Sequence, residues 1–534
     1  MSIRPTFYGL EIGKTGLFMS QKGLDVTGHN IANVDTAGYT RQRIISTAYD
    51  PYNTVTKFKP VSKALVGSGV NVMIHDQVRD IFLDRQFRTE QSLYSKWATR
   101  TSGLNYVESL FEGSEMSSLD NGINKLFEAF NALEEEANDR EQRVLIKENA
   151  ESLSLIFHTV YERLIEQQES QNLAVKAVAD KINTLAENIK ALNKSIYSYE
   201  IDGDLRALDL RDKRNLLLDE LSALADIEYR ETEENKLIVT IGGVELVNHL
   251  SGDRIVCAEI PNDLTPENAT DTLYAPYWES QVTDPTDPAQ IAAALVDVKG
   301  GELRAHLDLR DNGLDASASG EVPGIPYFVE LINQLARAIV QNVNDIHKTG
   351  WTHPGSGDPS RQGVSFFDDY GDISLVTAGN IKLSSDITAE PDSVFNIAAS
   401  SKEIVLDGVD PEKLEMGNNE KAKQLFNLSL LKELKVDMPG ATPDVNIGSF
   451  ASFITGILVD LSVTLSDSKK MTDMQNTQLL NADLLRTSVS GVSLDEEMTQ
   501  LIKYQHSYNG ASRLITTMDD ALDTLINRMG RVGL

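Results

Sequence analysis

Eight histidines, one cysteine and eighty carboxylates are the raw material for chemistry in this 534-residue chain. A catalytic or structural zinc needs imidazole or thiolate ligands at short helical or loop spacings. Here His29, His75, His158, His249, His306 and His506 are scattered. The nearest pair, His347 and His353, brackets Gly350 with no carboxylate pattern to complete a site. Ser466-Asp-Ser-Lys469 has the S-x-x-K spacing of an acyl-transfer serine, and Lys348-Thr-Gly350 has the matching K-T-G. Their order is reversed, the intervening S-D-N is missing, and Lys14-Thr-Gly16 repeats the tripeptide, so the match is chance. Asp368-Asp-Tyr-Gly-Asp372 lacks the twelve-residue spacing and closing glutamate of a calcium loop and reads as a solvated turn. Gly67-Ser-Gly69 precedes a strand pattern, the wrong context for a dinucleotide. Cys257 sits in a β pattern as a half-buried hydrophobe. The expectation is no catalytic, cofactor-binding or metal residue, no cofactor, and no enzyme.

The balance of 49 basic against 80 acidic residues, net −31, argues against nucleic acid, whose phosphates demand clustered cations, and against anionic membrane surfaces. The first hundred residues are mildly basic, but their charges are dispersed. No stretch approaches the 18 apolar residues of a membrane span, and the first residues lack the apolar run of a Sec-type signal. Neither membrane insertion nor a cleaved signal peptide is expected.

Ile3, Leu10, Leu17, Leu24 and Ile31 recur every seven residues, predicting one stripe of an N-terminal helix. Leu501, Tyr504, Tyr508, Ala511, Ile515, Met518, Leu522, Leu525 and Met529 alternate by three and four, predicting a coiled-coil face. Ser493-Leu-Asp-Glu496 ahead of it reads as a capping box. Both stripes are expected to be assembly seams, buried against each other or against other subunits, the alternative being that both helices dock onto an internal core. Between them the periodicity predicts helices at 78–112, 119–136, 140–200, 204–225, 323–347, 418–436 and 447–486, with Val178, Ile182, Leu185, Ile189, Leu192 and Ile196 in heptad register. Alternation and turn residues predict strand-rich segments, as in Lys236–Ile241 before Gly242-Gly243, and Asp372–Val376. The fold class is mainly α with β-rich insertions. Residues 1–60 with 490–534 form a terminal coiled-coil domain. Residues 61–228, 303–350 and 418–489 form a long-helix domain, and 229–302 with 351–417 are β-rich outer insertions.

Asn30-Ile-Ala-Asn-Val-Asp-Thr-Ala-Gly-Tyr-Thr-Arg41 reads as a helix end: Asn33 suits a left-handed cap, and Asp35, Thr36 and Gly38 build turns before Tyr39 enters extended chain. The segment also resembles the N-I-A-N-x-x-T-P-G-Y motif of flagellar rod, hook and hook-associated proteins, with Ala37 in place of the proline. Ser490–Glu497 followed by Leu501-Ile-Lys-Tyr-Gln505 resembles that family's C-terminal signature. Three inner segments are similar to its hook-associated FlgK branch: Ala207–Asp212 with Leu217–Leu221, Gly300–Arg304 with Leu309–Asp311, and Val343–His347. The resemblance implies a structural subunit exported through the flagellar type III apparatus. A dedicated chaperone would guard its C-terminal helix, and it would then form a ring between hook and filament. Implied partners are further copies of itself, hook protein, and a second junction protein leading to flagellin. The competing readings are a hook or distal-rod subunit, which shares the end motifs, and a flagellum-borne enzyme with an inserted hydrolase.

Overall fold

In the computed structural model the described residues are 8–48, 69–112, 114–201, 206–232, 234–262, 264, 271–314, 322–356, 359–404, 417–431, 434–436, 445–524 and 526. Ile3, Leu525 and Met529 of the expected seams lie outside them.

The helical elements are α1 (Tyr8–Ala32), α2 (Ile81–Glu112), α3 (Ser114–Glu135), α4 (Arg140–Glu200), α5 (Leu208–Leu224), α6 (Pro288–Ala293), α7 (Gly301–Asp311), α8 (Ile325–His347), α9 (Ser385–Thr388), α10 (Glu420–Leu428), α11 (Phe450–Ser490) and α12 (Leu494–Asp523). The strands are β1 (Gln42–Ala48), β2 (Val70–Gln77), β3 (Glu228–Glu231), β4 (Leu237–Ile241), β5 (Val244–Asn248), β6 (Ile255–Pro261), β7 (Thr272–Trp278), β8 (Leu434–Val436) and β9 (Val445–Gly448).

The 61-residue α4 is the spine, about 90 Å long at 1.5 Å per residue. Asp139 starts it by accepting the N–H of Glu141. Its apolar stripe serves two cores in succession. Ile146, Ala150, Leu153, Phe157, Val160 and Leu164 pack with α3, α8 and α11. Val175, Val178, Ile182, Leu185 and Ile189 pack with α5 and with strands β4, β5, β6 and β7. Between the two the stripe turns polar, and Gln168, Gln171 and Asn172 have defined partners. Gln168 donates to the carbonyl of Arg310, and Asn172 donates to that of Thr272 while accepting from the N–H of Tyr274. This polar collar fixes α7 and β7 against the spine.

Two antiparallel helix pairs extend from this body. In one, α2 lies along α11, with Phe87 under Arg486, Thr101 bonded to Thr472 and Glu108 opposite Lys469. In the other, α1 lies along α12. Only Gly491–Ser493 separates α11 from α12, so the two pairs meet at a short break.

The sheets are small. β3, β4 and β5 form an antiparallel meander whose β4–β5 turn places Gly242 at φ 55° and Gly243 at φ 82°, the left-handed pair a tight hairpin requires. β6 pairs with β7, β8 with β9 and β1 with β2, all antiparallel. The last pairing moves Val70–Gln77 out of the long-helix domain to which the sequence boundary assigned it and onto the terminal module.

The expected β-rich insertion at 351–417 is different in kind. Its described part contains no strand, only isolated bridges and short helical turns. Asp372–Val376, read as a strand, is a 3-10 turn that Asp372 starts by accepting the N–H of Ser374. Local side-chain acceptors satisfy this backbone, so no ladder forms. Phe366, Phe367, Ile381 and Ile397 are wholly buried in the same core as α3, α4 and α8, which makes the segment part of the helical body. The helix expected over 418–436 stops at Leu428, and strand β8 follows.

The stretch Phe450–Asp523 does contain a window long and apolar enough, by length and composition, to cross a membrane, contrary to the sequence expectation. One face of it, Phe450, Ile454, Ile457, Leu461 and Leu465 of α11, is buried in the body, while Val459 and Val463 are exposed on the other.

Candidate functional site at the base of the terminal helix pair

The face α1 turns to α12 is made of small residues. A Cβ on Gly9 would stand 2.6 Å from Met518, one on Gly13 2.8 Å from Ile515, and one on Gly23 2.5 Å from the Tyr504 ring, while Ala511 faces Gly16. The glycines therefore give up about 1 kcal/mol each of helix propensity and let the larger side chains of α12 close on the α1 backbone. Leu501, Tyr504, Tyr508, Ala511, Ile515, Met518 and Leu522 are the half-buried line of α12. Leu10, Leu17, Leu24 and Ile31 run one position along from the glycine face and are half-buried on its flank. The contact frame of α1 thus differs from the leucine frame by one residue. A hydrophobic periodicity cannot see a face built from glycine.

At the foot of this pair a polar clasp ties both chain ends to the body. Asn30 is 1% exposed and all its bonding capacity is used. Its amide donates to the Gln42 carbonyl at 2.9 Å and to Glu497 Oε2 at 3.0 Å. Its oxygen accepts from the Tyr39 hydroxyl at 2.7 Å and the Gln42 N–H at 3.0 Å. Arg41 donates from Nε to Glu497 Oε1 at 2.8 Å and from Nη1 to Glu496 at 2.7 Å, and its N–H reaches the Ser490 carbonyl at 2.9 Å. Thr40 N–H donates to Asp212 of α5, and Gln42 donates to Asp209. Arg79 joins Thr40, Asp84 and Asp212, while Asp219 is shared by Arg88 and Arg486.

Gly38 makes this path possible, since φ 76° there is a conformation other residues rarely adopt. Asn33 does not take the expected left-handed conformation. Its side chain donates instead to the His29 carbonyl at 2.9 Å, which closes the helix end in another way. Asp35 is exposed beside the turn. Ser493 begins α12 without a side-chain cap, so the expected capping box is not formed, because Glu496 is drawn to Arg41. A capping box does form at α11, between Ser449 and Ser452.

Burial and the nearby carboxylates of Asp209, Asp212 and Glu497 push the Tyr39 hydroxyl well above its ordinary value, so it stays a donor. Burial also raises Asp212 to about 6, against the opposing pull of Thr40 and Arg79. The arrangement holds no nucleophile poised beside a base. Burial lifts the Cys257 thiol to about 11, which leaves it protonated and inert. His347 is buried, bonded at Nδ1 to the Val364 carbonyl and accepting the Ala398 N–H at Nε2. Asp368 and Asp369 meet Lys382 and Lys348. No group of three potential metal ligands occurs among the described residues.

The clasp residues Arg41, Gln42, Asp212 and Glu497 were not singled out from the sequence. Arg41 and Glu497 stand inside the two end motifs, but their pairing joins residues 456 positions apart, and no local pattern shows that.

The fold and clasp define an elongated helical subunit whose two chain ends make one module, the construction of an axial structural protein. Residues 486–529 match the family model described as flagellar basal body rod FlgEFG protein C-terminal, and residues 104–367 match the flagellar hook-associated protein FlgK helical domain. Its helical body and its C-terminal segment are thus similar to those of flagellar hook-associated and rod proteins. The chain is 27% identical to flagellar hook-associated protein 1 of Bacillus subtilis (strain 168), covering 98% of this chain and 99% of the relative. It is 24% identical to the protein of that name in Escherichia coli (strain K12) and 23% identical to the one in Salmonella typhimurium, each match covering 96% of this chain and 98% of the relative. The fold is similar to that of the flagellar hook junction protein FlgK from Burkholderia pseudomallei, with TM-score 0.57 and 14% identity, covering 76% of this chain and all of that one.

Proposed function

We propose that this chain is a self-assembling structural subunit of the bacterial flagellum that forms the junction between hook and filament and performs no catalysis. It is a flagellar component outside the cell and associates with further copies of itself and with hook components. One observation carries the reading: the two ends of the chain form a single helix pair, clasped to a rigid body, whose outward faces leave large apolar residues uncovered. Phe18 is 56% exposed, and Leu494, Met498 and Ile502 recur along one face of α12 at 47%, 58% and 52%. Such a stripe on an isolated subunit marks a surface that other chains cover.

In this reading the line from Leu501 to Leu522, which closes α12 on α1 within the subunit, builds the assembly module, and Leu494, Met498 and Ile502 are the surface it offers to other subunits, with hook protein on one side of the ring and a second junction protein leading to flagellin on the other. A dedicated chaperone covers α12 until the unfolded chain has passed through the flagellar type III apparatus. The absence of disulfides, with Cys257 alone, suits that passage. Electron microscopy of cells lacking the gene tests the reading. Hooks without filaments support it, whereas missing hooks would mean a hook or distal-rod subunit.

A further inference from the structure

Residues 395–400 form a strap across the C-terminal end of α8, and Ile397, Ala398 and Ser400 in it are wholly buried. Several elements hold its backbone. The His353 N–H donates to the Phe395 carbonyl at 2.9 Å, the Trp351 N–H to that of Ser400 at 2.8 Å, and the Lys421 N–H of α10 to that of Ala399 at 3.0 Å. Arg143 of α4 donates to the Ile397 carbonyl. The remaining anchor is a side chain that can change its charge: His347 accepts the Ala398 N–H at Nε2, 2.9 Å away. Its Nδ1 lies 2.7 Å from the Val364 carbonyl, which can only accept, so the ring proton sits on Nδ1 and the lone pair of Nε2 faces Ala398.

A second proton can therefore enter this ring only at Nε2, the atom that holds the strap. Charge opposes that proton as well as burial. His347 is 0% exposed, and the Arg143 guanidinium acts on it with no carboxylate paired to that arginine among the described residues. His353 is the other imidazole at the strap, half-buried, with Nδ1 accepting the Gly355 N–H at 3.0 Å. The remaining charged groups nearby are engaged elsewhere: Asp386 with Arg361, Asp392 with Arg140, Lys348 with Asp369, and Lys421 with Gln424.

We propose that this strap is an acid-sensitive latch: protonation of His347 at Nε2 displaces the Ala398 N–H, sets a second positive charge beside Arg143, and loosens residues 395–400 from the body. One proton enters from solvent and one hydrogen bond is lost. The latch does not depend on the assembly reading, although a subunit outside the cell would meet ambient acid directly. Burial lowers His347 from 6.5 to about 4, and the ring regains its ordinary value once the strap is open. The ratio of closed to open strap therefore falls about 100-fold between pH 7.5 and pH 4, close to tenfold per unit below 6.5.

Hydrogen exchange on the full purified chain tests this, read as protection factors so that the pH dependence of intrinsic exchange cancels. Peptides covering 395–400 should lose about 100-fold in protection from pH 7.5 to pH 4, while peptides of the second core, such as 178–189, keep theirs. His347→Gln, whose side-chain oxygen can accept the Ala398 N–H but takes up no proton, should remove that pH dependence. His353→Gln should leave it in place. The wild-type profile is a measure that needs no variant: strap protection must fall with the slope of one proton between pH 6.5 and 4. Equal loss in the strap and the second core would overturn the proposal, since acid would then unfold the whole body. So would full protection of the strap at pH 4, an undiminished loss in His347→Gln, or a loss abolished by His353→Gln alone. None of these results bears on the assembly reading.

Discussion

Replacing Glu497 with alanine removes the one carboxylate that reaches both strands of the clasp. Its Oε2 accepts from Asn30 and its Oε1 from Arg41, in a site where Glu497 is 2% exposed. Hydrogen bonds to a buried charged group contribute about 1.5–3 kcal/mol each, and breaking a buried pair costs more than its net worth because the partner is left unpaired. Two offsets apply. Asn30 keeps the Gln42 carbonyl, and Arg41 keeps Glu496, although that partner is 62% exposed at its side chain and worth at most about 1 kcal/mol. The net expectation is about 3 kcal/mol, lost from the opening of the α1–α12 module and not from global unfolding, since Glu497 belongs to neither body core. Hydrogen exchange on the purified monomer should then quicken roughly 100-fold across residues 20–42 and 494–505, at about 1.4 kcal/mol per decade. Protection of α4 and α8 should be unchanged. Equal loss of protection in α8, or no change near Asn30, would refute the view of the clasp as the hinge pin between ends and body.

Two other perturbations separate packing from propensity and titration from charge. Gly23→Ala should loosen the terminal pair, because its Cβ would stand 2.5 Å from the Tyr504 ring, while Gly28→Ala, with nothing within 4 Å, should stabilise α1 by about 1 kcal/mol. Exchange rates in α1 should move in opposite directions for the two variants. Burial lowers His347 from 6.5 to about 4, so its contribution is fully present above pH 6.5 and is lost as pH falls toward 4, up to about 3 kcal/mol at 1.36 kcal/mol per unit. Asp212, raised to about 6, acts in the opposite sense, favouring the fold as it takes up a proton below that pH. Urea unfolding at pH 7.5 and 4.5 should show a smaller pH-dependent loss in His347→Gln than in the parent chain.

Long periodic helices were legible in the sequence because burial repeats along them. The stripe from Val178 to Ile196 predicts the second half of α4, and the turn at Gly242-Gly243 predicts the β4–β5 hairpin. Segment 351–404 was not legible, because its apolar residues are spaced by loop geometry, and side chains such as Asn344, which accepts from the N–H groups of Phe366 and Phe367, replace the ladder a strand would need. The α1 face was hidden for a related reason: its contact residues are glycines. The end motifs were visible as motifs, yet the work of Asn30 and Arg41 depends on Glu497, which only the folded chain brings near.

That the uncovered stripe of α12 is the assembly surface is tested most directly by the paired change Met498→Asp with Ile502→Asp. Each substitution removes up to roughly 1.5–3 kcal/mol of apolar burial in the assembly and sets a carboxylate where an apolar partner is expected. Neither residue belongs to the body cores, so the melting transition of the body should match wild type. With export verified by immunoblot, the account predicts hooks without attached filaments, non-motile cells and flagellin in the medium. An exported double variant that still carries normal filaments would contradict it.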